Sequence, residues 1–94
     1  KVKLLAEKHS FQYAIVKINK SRTRWGSCSS MKNINLSFYG MLLPEYLIDF
    51  VILHELCHTV EMNHGEKFWA LLDKVSDGRS HELTQELKSF KTLF

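Results

Sequence analysis

The segment from Pro44 to Trp69 reads PEYLIDFVILHELCHTVEMNHGEKFW, and the rest of the chain can be interpreted around it. Pro44 followed by Glu45 predicts a helix start, because proline suits the first turn and an acid there complements the helix dipole. We expect this helix to run from about Pro44 to Val60. Inside it, residues 54–58 read HELCH, an H-E-x-x-H pattern that is typical of zinc hydrolases.

The spacing within this pattern suits a metal site. Four residues advance a helix by about 400°, so His54 and His58 lie roughly 40° apart on one face, where both can reach one cation. Glu55 lies about 100° from His54, which places its carboxylate beside the metal as a general base rather than as a ligand. The apolar flanks predict that the motif is buried; they are Phe50, Val51, Ile52, Leu53, Leu56 and Val60.

A catalytic zinc usually takes three protein ligands and one water, so a third ligand is needed. His64 is the preferred candidate, provided that the helix ends and the chain bends back. Asn63 and Gly65 tolerate left-handed backbone and are expected to form that bend. Glu61 is the competing ligand if the helix continues, although a supporting contact suits it better, because three side chains along one helical stripe do not easily converge on a tetrahedral centre.

The remaining chain predicts a small α+β domain. Gln12–Asn19, Thr23–Cys28 and Asn33–Phe38 are expected to be three strands of an antiparallel meander. In the third strand Ile34, Leu36 and Phe38 should face the core, with the residues between them facing solvent. Lys1–Lys8 could be the end of a helix.

Two further helices are expected after the motif. Glu66–Val75 carries an apolar stripe and Ser80–Phe90 begins with Ser80 as its cap. Their inward residues are predicted to be Phe68, Leu71, Leu72 and Val75 in the first, and Leu83, Leu87 and Phe90 in the second. His81 could approach the site as a transition-state donor or be an exposed polar residue, while His9 has no such context.

Length, hydropathy and cysteine content limit the kinds of protein to which this chain can belong. Ninety-four residues suit one domain, and because the chain opens on Lys1 we expect 1–94 to be the C-terminal part of a longer protein. No apolar run could span a membrane. Cys28 and Cys57 are expected to be free packing residues, which favours the cytoplasm. The oligomeric state is not indicated.

The charge is unevenly distributed along the chain. Residues 1–47 carry eight Lys or Arg against two acids, a balance of +6, whereas residues 48–94 carry five against eight, a balance of −3. A basic half can contact nucleic acid, although such charges are more often a solvated face, so this partner stays open.

The stretch from Ser21 to Trp69 resembles the YgjP-like metal-dependent hydrolase domain, which is related to the SprT-like proteases. The resemblance rests on SRTRWGSCS (21–29), NINLS (33–37) and the segment from Pro44 to Trp69, in this order. It implies a zincin-like fold, zinc bound by His54, His58 and His64, and a catalytic Glu55. It also implies that Arg24, Trp25, Gly26 and Ser27 lie on a strand near the site, where they could bind substrate. Glu61 replaces a glycine of the longer metzincin pattern.

These features predict a zinc metallopeptidase that cleaves peptide or protein substrates by metal-activated water, with one Zn2+ ion and Glu55 as general base. A substrate strand could add to a free sheet edge between Thr23 and Phe38. The alternative is a non-catalytic binding module in which the three histidines hold structural zinc, associated with nucleic-acid-bound proteins. Glu55 favours catalysis, because a structural site is normally closed by a fourth ligand and needs no base.

Overall fold

The helix that carries the motif, α2 (Glu45–Cys57), lies at the centre of the α+β architecture expected from the sequence. A computed structural model describes residues 1–21 and 24–90 of the chain. The other elements are α1 (Val2–His9), β1 (Val16–Asn19), β2 (Gly26–Cys28), β3 (Ile34–Ser37), a 3-10 helix (Phe38–Leu42), α3 (Glu66–Val75) and α4 (Ser80–Phe90). Helix α2 contacts α1, α3, α4, β2 and β3, so most of the other elements pack on the helix that carries the motif.

The strands form a mixed sheet, so the predicted antiparallel meander is wrong. The strand order is β1-β3-β2, with β1 parallel to β3 and β2 antiparallel to it. A short loop joins β2 to β3 as a hairpin, and the chain between β1 and β2 crosses to the other side of β3. Within that crossover, Arg22 and Thr23 lie outside the described residues. Among the strands of the described residues, β2 therefore lies at an edge of the sheet.

The predicted alternation along β3 holds only in part. Ile34 is fully buried and Leu36 packs on the core, but Phe38 is 51% exposed because the chain turns there into the 3-10 helix. Ser37, which was expected to face solvent, is buried; its hydroxyl donates to the backbone oxygen of Ser21 at 2.7 Å. This hydrogen bond offsets the cost of burying a polar group.

Helix α2 is apolar nearly all round, as expected of a helix surrounded by other elements. Leu47, Phe50, Ile52 and Leu56 are at most 3% exposed. Val51 and Leu53 are buried as well, whereas Val60 is 59% exposed, so its predicted burial is wrong. Val60 lies beyond the helix end, where the chain has already turned away from the core.

The two later helices have the bounds that the sequence predicts. Phe68 and Leu72 of α3 and Leu83 of α4 are buried, and the other predicted inward residues of both helices pack against the same core. Ser80 differs from the prediction of a cap, because its hydroxyl donates to Asp73 Oδ1 at 2.8 Å. None of the helices in the described ranges has the length and hydropathy of a membrane span.

Candidate metal centre and cleft

The end of α2 determines where the third histidine lies. Backbone N–H groups of residues 58–60 donate to the carbonyls three residues earlier, which tightens the last turn into a 3-10 form. The chain then reverses toward His64 without the left-handed backbone predicted at Asn63 and Gly65. Gly65 has φ −87°, and positive φ angles in the described residues occur elsewhere. The bend was therefore placed correctly, but its expected geometry was wrong.

The bend brings the three predicted ligands together. The ring centroids lie 5.0 Å apart for His54 and His58, 4.6 Å for His58 and His64, and 5.5 Å for His54 and His64. One nitrogen from each ring lies within 4.8 Å of the other two, and within residues 1–21 and 24–90 this is a group of three that could hold a metal ion. Imidazole nitrogens suit Zn2+ and related divalent ions.

The protonation of His58 can be assigned from its contacts. A backbone carbonyl can only accept, so Nδ1 of His58 carries the proton and donates to the carbonyl oxygen of Glu61 at 3.0 Å. The lone pair of His58 is then on Nε2, which lies 3.0 Å from Nε2 of His64. This distance is near the roughly 3.4 Å expected between two nitrogens that share one tetrahedral zinc ion. Glu61 thus supports the site through its backbone, rather than as the competing ligand.

The environment of His64 also favours metal binding. His64 is exposed to solvent, but partial desolvation of its ring, followed by the neighbouring His58 and His54, lowers its pKa. A lower pKa keeps the imidazole neutral over a wider pH range, and a neutral ring retains the lone pair that a cation needs. The donor set therefore fits the divalent metal that the sequence pattern predicts.

Phe68 of α3 lies beneath all three imidazoles. Its ring stacks on His58 with centroids 4.4 Å apart and an interplanar angle of 21°, and it contacts His64 at 4.9 Å and His54 at 5.1 Å. Phe68 is fully buried. The sequence analysis identified Phe68 only as a core residue. Its position four residues after His64 is the sequence feature that could have indicated a place near the site.

Glu55 lies at the wall of the same site. Only 5% of the residue is exposed, and its Oε2 lies 3.2 Å from Nδ1 of His54. The carboxylate packs against strand β2, where Gly26 lies opposite it. A buried carboxylate next to a cluster of imidazoles is well placed for proton transfer.

An open cleft of about 490 Å³ gives access to these groups. All four residues of the predicted substrate segment, Arg24 to Ser27, line it together with the three histidines and Glu55. Helix α4 contributes Thr84, Leu87 and Lys88 to the lining, and the sequence analysis did not assign these residues to the site. Leu87 and Lys88 follow Thr84 by three and four residues, a spacing that places all three on one helix face. This spacing is the sequence feature that could have identified them as a group. His81 is exposed and does not line the cleft.

Strand β2 is an edge strand, and within residues 1–21 and 24–90 no other strand pairs with its outer side. Just before and just after β2, the backbone oxygen of Trp25 accepts from Ser37 N and Ser29 N donates to the oxygen of Asn33. Ser27, midway between them, is therefore the residue of β2 whose backbone groups face β3. By the alternation of an antiparallel ladder, the N–H and C=O groups of Gly26 and Cys28 point away from β3. The free edge predicted between Thr23 and Phe38 is therefore that of β2.

Comparison with known proteins assigns the family. A family model described as YgjP-like, metallopeptidase domain, matches residues 1–90. The chain belongs to this family. Membership makes this YgjP-like domain a metal-dependent peptidase, with peptides or proteins as substrates. A search among curated proteins found no match.

One solved structure resembles the fold of this YgjP-like domain. It is the crystal structure of the metallopeptidase zymogen of Pyrococcus abyssi abylysin, with a TM-score of 0.80 and 20% sequence identity. The similarity covers 94% of this chain and 89% of abylysin. The expected zincin-type α+β fold is thus confirmed.

Proposed function

We propose that this YgjP-like domain hydrolyses peptide bonds, with one Zn2+ held by His54, His58 and His64 and with Glu55 as general base. The convergence of the three imidazoles beside a buried carboxylate, in a cleft open to substrate, supports this proposal most strongly. Among the described residues the group has no fourth His, Cys, Asp or Glu member. An open position is what a catalytic zinc site requires and a structural one lacks.

The chain's own groups supply the proton transfers. A bound Zn2+ provides Lewis-acid activation of water and of a peptide carbonyl. Glu55 accepts a proton from the attacking water and returns it to the leaving amine. Phe68 and the Glu61 carbonyl hold the His58 ring in one orientation, which fixes the nitrogen that faces the site.

We further propose that the substrate binds as an extended strand along β2. The outward N–H and C=O groups of Gly26 and Cys28 could pair with a substrate backbone, while Arg24 and Ser27 line the same cleft. Arg24, Trp25, Gly26 and Ser27 would thus form the substrate-binding side of the cleft. Contact with nucleic acid is not part of this proposal.

The domain organisation and the cysteines bear on the setting of this site. We propose that residues 1–94 form one catalytic domain, since the buried apolar residues of the described ranges belong to one core cluster. Cys28 and Cys57 are both free, as expected, and a cytoplasmic location inferred from such thiols stays a prediction.

The proposal is tested with a Glu55→Gln variant. Glutamine keeps the size of the side chain but cannot accept the proton, so we expect unchanged zinc content and a loss of peptide hydrolysis of about 100-fold or more. Zinc is measured by elemental analysis, and hydrolysis with a mixture of fluorogenic peptides in zinc-saturated protein. Undiminished hydrolysis by this variant would overturn the role of Glu55.

A matched pair of histidine variants tests the metal site. His58→Ala should lose zinc and with it hydrolysis, whereas His81→Ala, which changes an exposed histidine outside the cleft, should keep both. Full zinc content in His58→Ala would contradict the ligand assignment. Zinc binding in the unchanged chain without hydrolysis of any peptide would instead favour the non-catalytic binding module.

A further inference from the structure

Gly26 is the point of closest approach between strand β2 and the side chain of Glu55. A Cβ atom added at Gly26 would lie 3.1 Å from Cγ and 3.2 Å from Oε2 of Glu55, and 3.0 Å from the backbone oxygen of Asn35. Such distances are shorter than ordinary van der Waals contact. With any other residue at position 26, the Glu55 side chain or the neighbouring backbone would have to shift by a few tenths of an ångström.

The crowding is specific to this position. A Cβ atom at Gly40 or at Gly65 would meet no heavy atom within 4 Å. Gly26 also has no positive φ angle that would by itself require glycine. Glycine in a strand interior weakens the strand, because it adds backbone entropy to the unfolded state and packs no side chain. Its presence here therefore calls for a reason other than the conformation of the backbone.

We infer that Gly26 is a positioning residue for the general base: the missing side chain leaves the space in which the Glu55 carboxylate lies against β2. This inference rests on the proposed role of Glu55. Gly26 also belongs to the proposed substrate-binding edge. The same residue would therefore pair with the substrate backbone and determine the position of the Glu55 carboxylate.

Displacement of the base should affect turnover more than substrate binding. The outward backbone groups of position 26 remain in an alanine variant, so the pairing with a substrate strand is preserved. A carboxylate moved by a few tenths of an ångström is less well aligned with the water whose proton it accepts. Misplacement of reacting groups by about 1 Å can cost roughly 100-fold in rate.

The first test compares Gly26→Ala with Gly40→Ala in zinc-saturated protein. We expect kcat of Gly26→Ala to fall by about tenfold or more, with KM changed less than about threefold and zinc content unchanged. Gly40→Ala should match the unchanged chain in all three. A Gly26→Ala variant with the kcat of Gly40→Ala would overturn the inference.

The second test needs neither metal nor activity. In metal-free protein, the Tm is measured for Gly26→Ala, for Glu55→Ala and for the double variant. Glu55→Ala removes both Glu55 atoms that the new methyl would contact and leaves only the Asn35 oxygen. Gly26→Ala should therefore lower Tm less in the Glu55→Ala background than in the unchanged chain.

Equal Tm losses in both backgrounds, or failure to fold in both, would overturn the inference, because the Asn35 contact alone would then explain the glycine. Folding of the double variant but not of Gly26→Ala would support it. Full activity of Glu55→Gln would refute the proposed role of Glu55 as general base. Loss of activity in Glu55→Gln, together with equal activity of Gly26→Ala and Gly40→Ala, would refute only the role of Gly26.

Discussion

Cys57 lies between the motif residues Leu56 and His58 and is fully buried. Burial, with the charge of Glu55 as a second cause, raises the pKa of its thiol to about 12. Cys28, on β2, is half-buried, and its pKa is raised in the same way. Raised pKa values keep both thiols protonated and poor as nucleophiles, consistent with the packing role expected from the sequence.

The buried thiol gives a prediction about reactivity. In a Cys28→Ser variant at pH 8, iodoacetamide should leave Cys57 unmodified while the protein is folded, because the reactive thiolate is almost absent and the side chain is inaccessible. Mass spectrometry after fixed times measures the modification. The same reaction in urea serves as the control and should go to completion. Rapid modification of folded protein would contradict the burial of this residue.

At the scale of elements, α3 supports the site that α2 and the following bend present. Phe68 and Leu72 are one helical turn apart on α3, and both are fully buried. Both residues belong to the apolar core, and Phe68 in addition contacts all three histidine rings. Substitutions at these two residues can therefore distinguish support of the metal site from general packing of the core.

Phe68→Leu should weaken zinc binding, because the histidine rings lose the flat surface that holds them in one orientation. We expect zinc affinity to fall by about tenfold or more, while the loss of stability stays below the roughly 3–5 kcal/mol of a full truncation to alanine. Competition with a chromophoric chelator measures the affinity.

Leu72→Val is the matched control for this change. It should cost on the order of 1 kcal/mol of stability and leave zinc affinity unchanged. Similar zinc affinities for the two variants would show that Phe68 acts only through the core.

At the scale of the whole molecule, we expect metal binding and folding to be coupled. The three proposed ligands come from α2, its C-cap and the bend before α3, so the unfolded chain does not hold them in position. A ligand that binds the folded state alone stabilises it by mass action. In a 94-residue chain this contribution is a large share of the total stability.

Zinc at about 100 times its dissociation constant should add roughly 2.7 kcal/mol, which raises Tm by roughly 10–20 °C in a domain of this size. Differential scanning calorimetry with zinc and with a chelator measures the shift. His9→Ala should show the full shift and His58→Ala little or none. A shift of similar size in His58→Ala would mean that zinc binds elsewhere.

Sequence reasoning predicted the helix that carries the HELCH motif, the two helices that follow it and the convergence of the three histidines. These features depend on local regularities: helical periodicity places His54 and His58 on one face, and a helix end is signalled within a few residues. The family resemblance placed Arg24 to Ser27 on a strand near the site. All four residues line the cleft, but only Gly26 and Ser27 lie on β2, because the strand begins at Gly26.

Other features depend on contacts between residues that are distant in the chain. Strand pairing is one, because the same β1 could pair with either β2 or β3, and the choice of β3 leaves the β2 edge open. The approach of Gly26 to Glu55 and the wall provided by α4 are others, since no local pattern specifies which surfaces meet. The local sequence pattern thus determined the helices and the proposed metal-binding residues, whereas long-range packing determined the cleft around them.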